Sequence, residues 1–224
     1  MTNGSFKKSL KAPGSDPVMR KIRFVDLWVN RPPAYLIARL GQKLRLNPNQ
    51  LTWVSFLLGM AGALLFASGT YPAVIVAGIL VQLSSVVDGA DGMLARLQGS
   101  QSRYGGHLDL FFDRMLDFSV FLGIALGLWR QSGDHRLLIA GLAAAGLYML
   151  QVNLFYLTRS YLQTPEEGTT GEARAVLLLL VMIFALFNRL DIFIILLLAG
   201  CLLIILIRWG YFLFLGRRDR SAGS

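Results

Sequence analysis

Two neighbouring runs of this chain carry an unusual set of charges. Asp88 and Asp91 lie in the first, and Asp109, Asp113 and Asp117 in the second, each inside or beside a segment otherwise rich in Leu, Ile, Val and Phe. Residues i, i+3, i+4, i+7 and i+8 share one face of a helix, and Asp88, Asp91, Gly92, Ala95 and Arg96 have that spacing. Gly105, Asp109, Asp113 and Asp117 step by four along the start of the next segment. The eight residues from Leu97 to Tyr104 read as a turn long enough to fold one stripe onto the other, so that four carboxylates converge.

Placing one ionised side chain at the centre of a bilayer costs on the order of 2.5–3.5 kcal/mol. Several together must therefore be hydrated, paired or bound to metal. Two facing pairs of carboxylates form an all-oxygen, strongly anionic site suited to two divalent cations, Mg2+ or Mn2+, with Ca2+ as a further occupant; Zn2+ would recruit His or Cys. His107 is the one imidazole nearby, and it reads as a loop residue. Two ions that share carboxylates neutralise phosphate oxygens and stabilise the entering and leaving oxygens of a phosphoryl transfer. Gly92 and Ala95 remove bulk from the acidic stripe, so a nucleotide or diphosphate can lie against the helix backbone, and Arg96 can bind a phosphate oxygen. Helix packing would explain either small residue alone; their registry with two acids and an arginine favours a ligand.

Asp88, Asp91-Gly92, Ala95-Arg96, Gly105, Asp109 and Asp113 spell D-x2-D-G-x2-A-R-x8-G-x3-D-x3-D. This pattern resembles the signature of the CDP-alcohol phosphotransferases, also called CDP-alcohol phosphatidyltransferases. The resemblance implies metal-dependent transfer of a substituted phosphate from a CDP-alcohol donor, such as CDP-diacylglycerol or CDP-inositol, to the hydroxyl of an acceptor alcohol, with release of CMP. By that pattern Asp88, Asp91 and Asp109 ligate metal, while Asp113 sits near the second ion and is the base for the acceptor hydroxyl. Asp91, Gly92, Ala95, Arg96 and Gly105 form the CDP-binding surface. Asp117 falls outside the signature, where it can orient a neighbour or pair with Arg114. The runs QLSSVVDGADGMLARL and SRYGGHLDLFFDRMLDF look closer to the inositol-phosphate-using branch of the family. A phosphorylated acceptor would need further cations, and Arg103, Arg159 and Arg174 are the candidates, against a reading in which they are solvated ends of helices.

The elements that must position these residues follow from composition. Of 224 residues, 54% are hydrophobic and 16% charged, against about 25% charged in an ordinary soluble domain. An all-α integral membrane protein is expected. Residues 1–21 read as a basic tail, 22–46 as an amphipathic surface helix broken at Pro32-Pro33, 47–216 as a domain of six transmembrane helices, and 217–224 as a second basic tail. The six apolar segments fall near 50–69, 71–96, 107–129, 137–160, 173–188 and 190–215, the first capped around Pro48 and Asn49. Ten Lys and Arg before residue 51, with Arg96, Arg103, Arg159, Arg174, Arg217, Arg218 and Arg220, fall on one side of this arrangement; Arg130, Arg136 and Arg189 fall on the other. That bias puts both termini and the acidic ends of segments two and three on the cytoplasmic side of the cell membrane. It also suits an anionic membrane lipid surface better than nucleic acid. Cys201, the single cysteine, reads as lipid-facing or as packing filler. Small residues four apart, as in Gly59/Ala63, Gly123/Gly127 and Gly141/Ala145, permit close helix contact, within one bundle first and across a homodimer seam second.

Two other functions use the same acids. An acid-lined cation transporter explains the intramembrane aspartates but not Gly92, Ala95 and Arg96 in register with them. A metal-dependent lipid diphosphate hydrolase differs from the transferase only in taking water as acceptor.

Overall fold

A computed structural model describes the backbone of residues 29–162 and 169–222, with side chains in 29–158 and 173–212. The expected basic tail, the first part of the expected surface helix and the Arg159 side chain lie outside the described residues. Seven helices follow in order: α1 Arg31–Lys43, α2 Pro48–Phe66, α3 Tyr71–Gln98, α4 Arg103–Ser132, α5 His135–Leu162, α6 Thr169–Leu186 and α7 Leu190–Ala222. There is no strand among the described residues.

Local chemistry sets the boundaries. Pro32 and Pro33 lie in the first turn of α1, where a proline lacks only an N–H that would have no helical partner. Asn47 caps α2 in a capping box with Gln50, whose side chain accepts from the Asn47 N–H at 2.9 Å, and Pro48 takes the first helical position. Gly99, at φ 63°, ends α3 in the left-handed region, where a residue with no Cβ is unstrained. Ser102 then caps α4, its hydroxyl accepting from the Gly105 N–H at 3.0 Å. The link between the acidic helices is thus only residues 99–102, shorter than the expected turn, because both helices extend further towards each other. His107 accordingly stands exposed on the first turns of α4 rather than in a loop. At the other end of the chain, α7 continues to Ala222, past the expected boundary at residue 216.

Among the described residues four helices are long and apolar enough to cross a membrane: α2, α3, and the stretches His135–Thr158 of α5 and Leu190–Phe212 of α7. The apolar part of α6, Ala173–Leu186, is shorter. α4 is long, but Asp109, Asp113, Arg114 and Asp117 interrupt its first half.

Close approaches at small residues hold the bundle together. A Cβ at Gly123 would strike the Ala63 carbonyl oxygen, and one at Gly127 the Phe66 carbonyl oxygen, so α4 lies backbone to backbone along α2. At Gly59 a Cβ would strike Leu116, and at Gly141 it would strike Ala125, which joins α5 to α4. These repeats therefore serve packing within the chain. Ser55 and Ser84, both buried, exchange side-chain to backbone hydrogen bonds of 3.0 and 2.8 Å and register α2 against α3. The main core joins Phe66, Val81, Val120, Phe121, Ile124, Leu178 and Ile194. Cys201 belongs to it, with its Sγ 3.8 Å from Gln151 Oε1, and so is packing filler rather than lipid-facing. α1 packs beside α3, with Ala34 and Ala38 buried and Leu36 and Leu40 exposed.

Candidate functional site

The end of α3 and the start of α4 bring the acids together. Asp88, Asp91 and Asp109 each offer a carboxylate oxygen within 4.8 Å of the others. Asp91 is buried and its Oδ2 accepts a hydrogen bond from the Thr52 hydroxyl at 2.5 Å, so α2 fixes the orientation of this carboxylate. Asp109 Oδ1 is buried with no hydrogen-bond partner among the described residues. An uncompensated buried carboxylate oxygen is costly, and a cation is the partner that three convergent carboxylates supply a site for. The donor set, all oxygen and without a His or Cys, fits a hard divalent ion such as Mg2+ or Mn2+.

Asp113 lies one turn further along α4 and faces a different cation. Its Oδ1 is 2.9 Å from NH1 of Arg174, which projects from α6. The same NH1 lies 3.3 Å from Asp88 Oδ2, and the Arg174 Nε donates to Asp117 Oδ1 at 2.9 Å. Asp117 is fully buried; its Oδ2 also accepts from Arg114 NH1 at 3.2 Å and from the Tyr148 hydroxyl at 3.3 Å. The pairing with Arg114 expected from the sequence is therefore present, but Arg174 and Tyr148 complete it. Arg174, expected at an acceptor phosphate, faces three aspartates here.

The nucleotide-seat residues line the same end. At Gly92 a Cβ would meet nothing within 4 Å but the guanidinium of Arg96, at 3.5 and 3.9 Å. No described helix packs on this glycine. Ala95 is half-buried one turn on, and Arg96 is exposed. Gly105 sits at the α4 start, close to Ser102 and Asn49. Arg103 is exposed on the first turn of α4.

Next to Arg114 and Arg174 opens a cavity of about 390 Å³ between α5, α6 and α7. Its walls are mostly apolar, among them Leu177, Phe184, Phe193 and Leu197, and Arg208 stands at its rim with its guanidinium 4.9 Å from the Phe155 ring centre. Volumes of this order hold small-molecule ligands.

Thr52, Tyr148 and this cavity were not foreseen from sequence. Thr52 had a signal of a kind, a hydroxyl in an apolar segment, but its partner is 39 residues away. Asp117 had a clear one in its four-residue step from Asp113.

The family model for CDP-alcohol phosphatidyltransferase matches residues 45–208. The chain is 30% identical over 182 residues to the archaetidylinositol phosphate synthase of Pyrococcus horikoshii, covering 80% of this chain and 86% of that one. It is 42% identical over 82 residues to the bifunctional IPC transferase and DIPP synthase of Archaeoglobus fulgidus, a match spanning 37% of this chain and only 16% of that protein. Its fold is shared with the phosphatidylinositol phosphate synthase of Mycobacterium tuberculosis. That structure with CDP-DAG bound has a TM-score of 0.62 at 22% identity, covering 79% of this chain and 92% of the other. The same enzyme in complex with manganese and citrate gives a TM-score of 0.64.

Proposed function

The chain belongs to the CDP-alcohol phosphatidyltransferase family, and from that premise we propose that it transfers a substituted phosphate from a CDP-alcohol to the hydroxyl of an acceptor alcohol, releasing CMP. The observation that carries this reading is the convergence of Asp88, Asp91 and Asp109 beside a Gly92 on which no described helix packs. In the reaction the acceptor oxygen bonds to the donor's distal phosphorus as the bond from that phosphorus to the CMP oxygen breaks. The acceptor proton passes to the Asp113 carboxylate, and CMP leaves. Asp88, Asp91 and Asp109 would hold divalent cations, with Asp113 beside the second, and when bound these ions would neutralise the diphosphate charge and lower the barrier to displacement. Asp91, Gly92, Ala95, Arg96 and Gly105 seat the cytidine diphosphate.

We place six crossings in residues 47–216, with both termini and the acid cluster on the cytoplasmic side of the cell membrane, on the strength of the Lys and Arg bias. The apolar cavity beside Arg174 favours a donor whose alcohol half is a lipid. The similarity to inositol phosphate synthases favours a phosphorylated cyclitol acceptor, met by Arg103 and Arg159. A homodimer is the assembly proposed; its seam is not among the packed glycines above.

The test supplies purified protein in detergent with Mg2+ or Mn2+, a panel of CDP-alcohols, and acceptors that include inositol phosphate, glycerol 3-phosphate and serine. CMP release that depends on one acceptor is the expected result. Release without any acceptor would identify a hydrolase, and no release with any donor would overturn the reading.

A further inference from the structure

The acid cluster divides into two parts with different cations. Asp88, Asp91 and Asp109 form a compact triad of oxygens. Asp113 belongs to a second group whose cation is a side chain of the chain itself. Arg174 is 5% exposed, and its NH1 spans Asp113 Oδ1 at 2.9 Å and Asp88 Oδ2 at 3.3 Å. A guanidinium placed this way could swing about its long side chain unless another contact held its base. Asp117 is that contact, fully buried and fixed in turn by Arg114 and Tyr148. Each of these bonds comes from a different helix: Arg114 and Asp117 from α4, Tyr148 from α5 and Arg174 from α6. A buried ion pair of this kind is expensive to assemble and is weak evidence of a stabilising role, since apolar side chains of equal volume often pack as well or better.

We propose that Asp117 and Arg174 form a positioning pair for Asp113. Asp117 seats the Arg174 guanidinium, and the guanidinium holds the Asp113 carboxylate, linking it to Asp88 across the α3–α4 interface. This rests on the role proposed above for Asp113. Arg174 acts on the reaction through Asp113. Its planar fork suits the task because it meets several carboxylate oxygens in fixed directions, which the point charge of a lysine cannot. Residues that orient the groups of a metal site change activity by about 10–100-fold when removed.

The experiment measures CMP release, Mn2+ binding by electron paramagnetic resonance, and CDP binding on wild type, Asp117→Asn, Arg174→Lys and Arg174→Ala. The expected result for Asp117→Asn and Arg174→Ala is a kcat lowered by roughly tenfold or more. The donor KM stays within about twofold and both Mn2+ and CDP binding are retained, because Asp91, Asp109 and the Gly92 seat make no contact with the pair and only Asp88 loses one at 3.3 Å. Arg174→Lys falls between wild type and Arg174→Ala, and methylguanidinium restores part of the kcat of Arg174→Ala. Three results would overturn the proposal: kcat unchanged in both variants; Mn2+ and CDP binding lost together with kcat, which would mark a role in folding; or an effect confined to the acceptor KM, which would make Arg174 an acceptor ligand. Wild-type protein that releases no CMP with any donor overturns the function itself, so the two failures are distinct.

Discussion

Gly92, Asp91 and Asp113 separate binding from turnover at single positions. A methyl group at Gly92 would meet only the Arg96 guanidinium, yet it would stand on the surface where the diphosphate is proposed to lie. Gly92→Ala should therefore leave Tm unchanged or raised, since alanine is the better helix former by about 0.5–1 kcal/mol. CDP affinity should fall roughly tenfold, or about 1.4 kcal/mol. Calorimetric titration of CDP alongside a thermal scan checks this; a lowered Tm with unchanged CDP affinity would return Gly92 to a packing role. Asp91 and Asp113 should part in a different way. Asp91 is buried among the oxygens of the triad and oriented by Thr52, so Asp91→Asn should lose Mn2+ and nucleotide together. Asp113 lies outside the triad, opposite Arg174, so Asp113→Asn should keep CDP binding while turnover falls by at least about a hundredfold, the scale of a lost general base. Near-normal rates in both variants would refute the assignment of roles.

At the scale of helices, the same amino acid does two jobs, and only the packing tells them apart. Gly127 and Gly123 let α4 approach α2 until backbone meets backbone, whereas Gly92 faces no described helix. Gly127→Ala should thus cost about 1–3 kcal/mol through overpacking, a fall in Tm on the order of 2–10 °C for a chain of this size. Gly146→Ala, where a Cβ would meet nothing within 4 Å, should leave Tm unchanged. Thermal unfolding in one detergent compares the two; equal shifts would mean that the close approach does not bear on stability. This also marks what periodicity can and cannot disclose. The register of Asp88, Asp91, Asp109 and Asp113 was legible because a helix fixes the angle between residues three and four apart, whatever surrounds it. The starts of α2 to α7 were legible to within about four residues for the same reason, while the α3–α4 link and the end of α7 were not, because polar residues that end an apolar run still continue the helix. Contacts between distant segments were not legible. Nothing local to Thr52 announces Asp91, and nothing local to Arg174 announces Asp113 and Asp117, because those meetings depend on how α2 and α6 lean on the α3–α4 pair.

For the whole molecule, the lengths of α3 and α4 decide where the site lies relative to the bilayer. With 28 and 30 residues, they run about 42 and 45 Å at the rise of an α-helix, more than the ~30 Å of a hydrocarbon core. The excess falls at the joined ends, because the opposite ends of both helices are apolar nearly to their termini. With α3 and α4 both crossing, as proposed, Asp88, Asp91 and Asp109 would lie near the membrane edge, where water and a cytidine diphosphate could reach them and the cost of burying charge at the bilayer centre would not apply. Lys and Arg gather at that same end in the sequence, the bias on which the cytoplasmic placement proposed above rests. Two exposed histidines on α4 and α5 make the assignment testable: His107 on the first turns of α4, near the acids, and His135 at the start of α5, at the opposite end of the bundle. A membrane-impermeant maleimide should label His107→Cys in inside-out vesicles and His135→Cys in right-side-out ones. The native Cys201, buried in the core, should stay unlabelled in both. The reverse pattern would place the aspartates on the outer face, where no cytoplasmic CDP-alcohol could reach them, and labelling of both positions from one side would break the count of crossings between them.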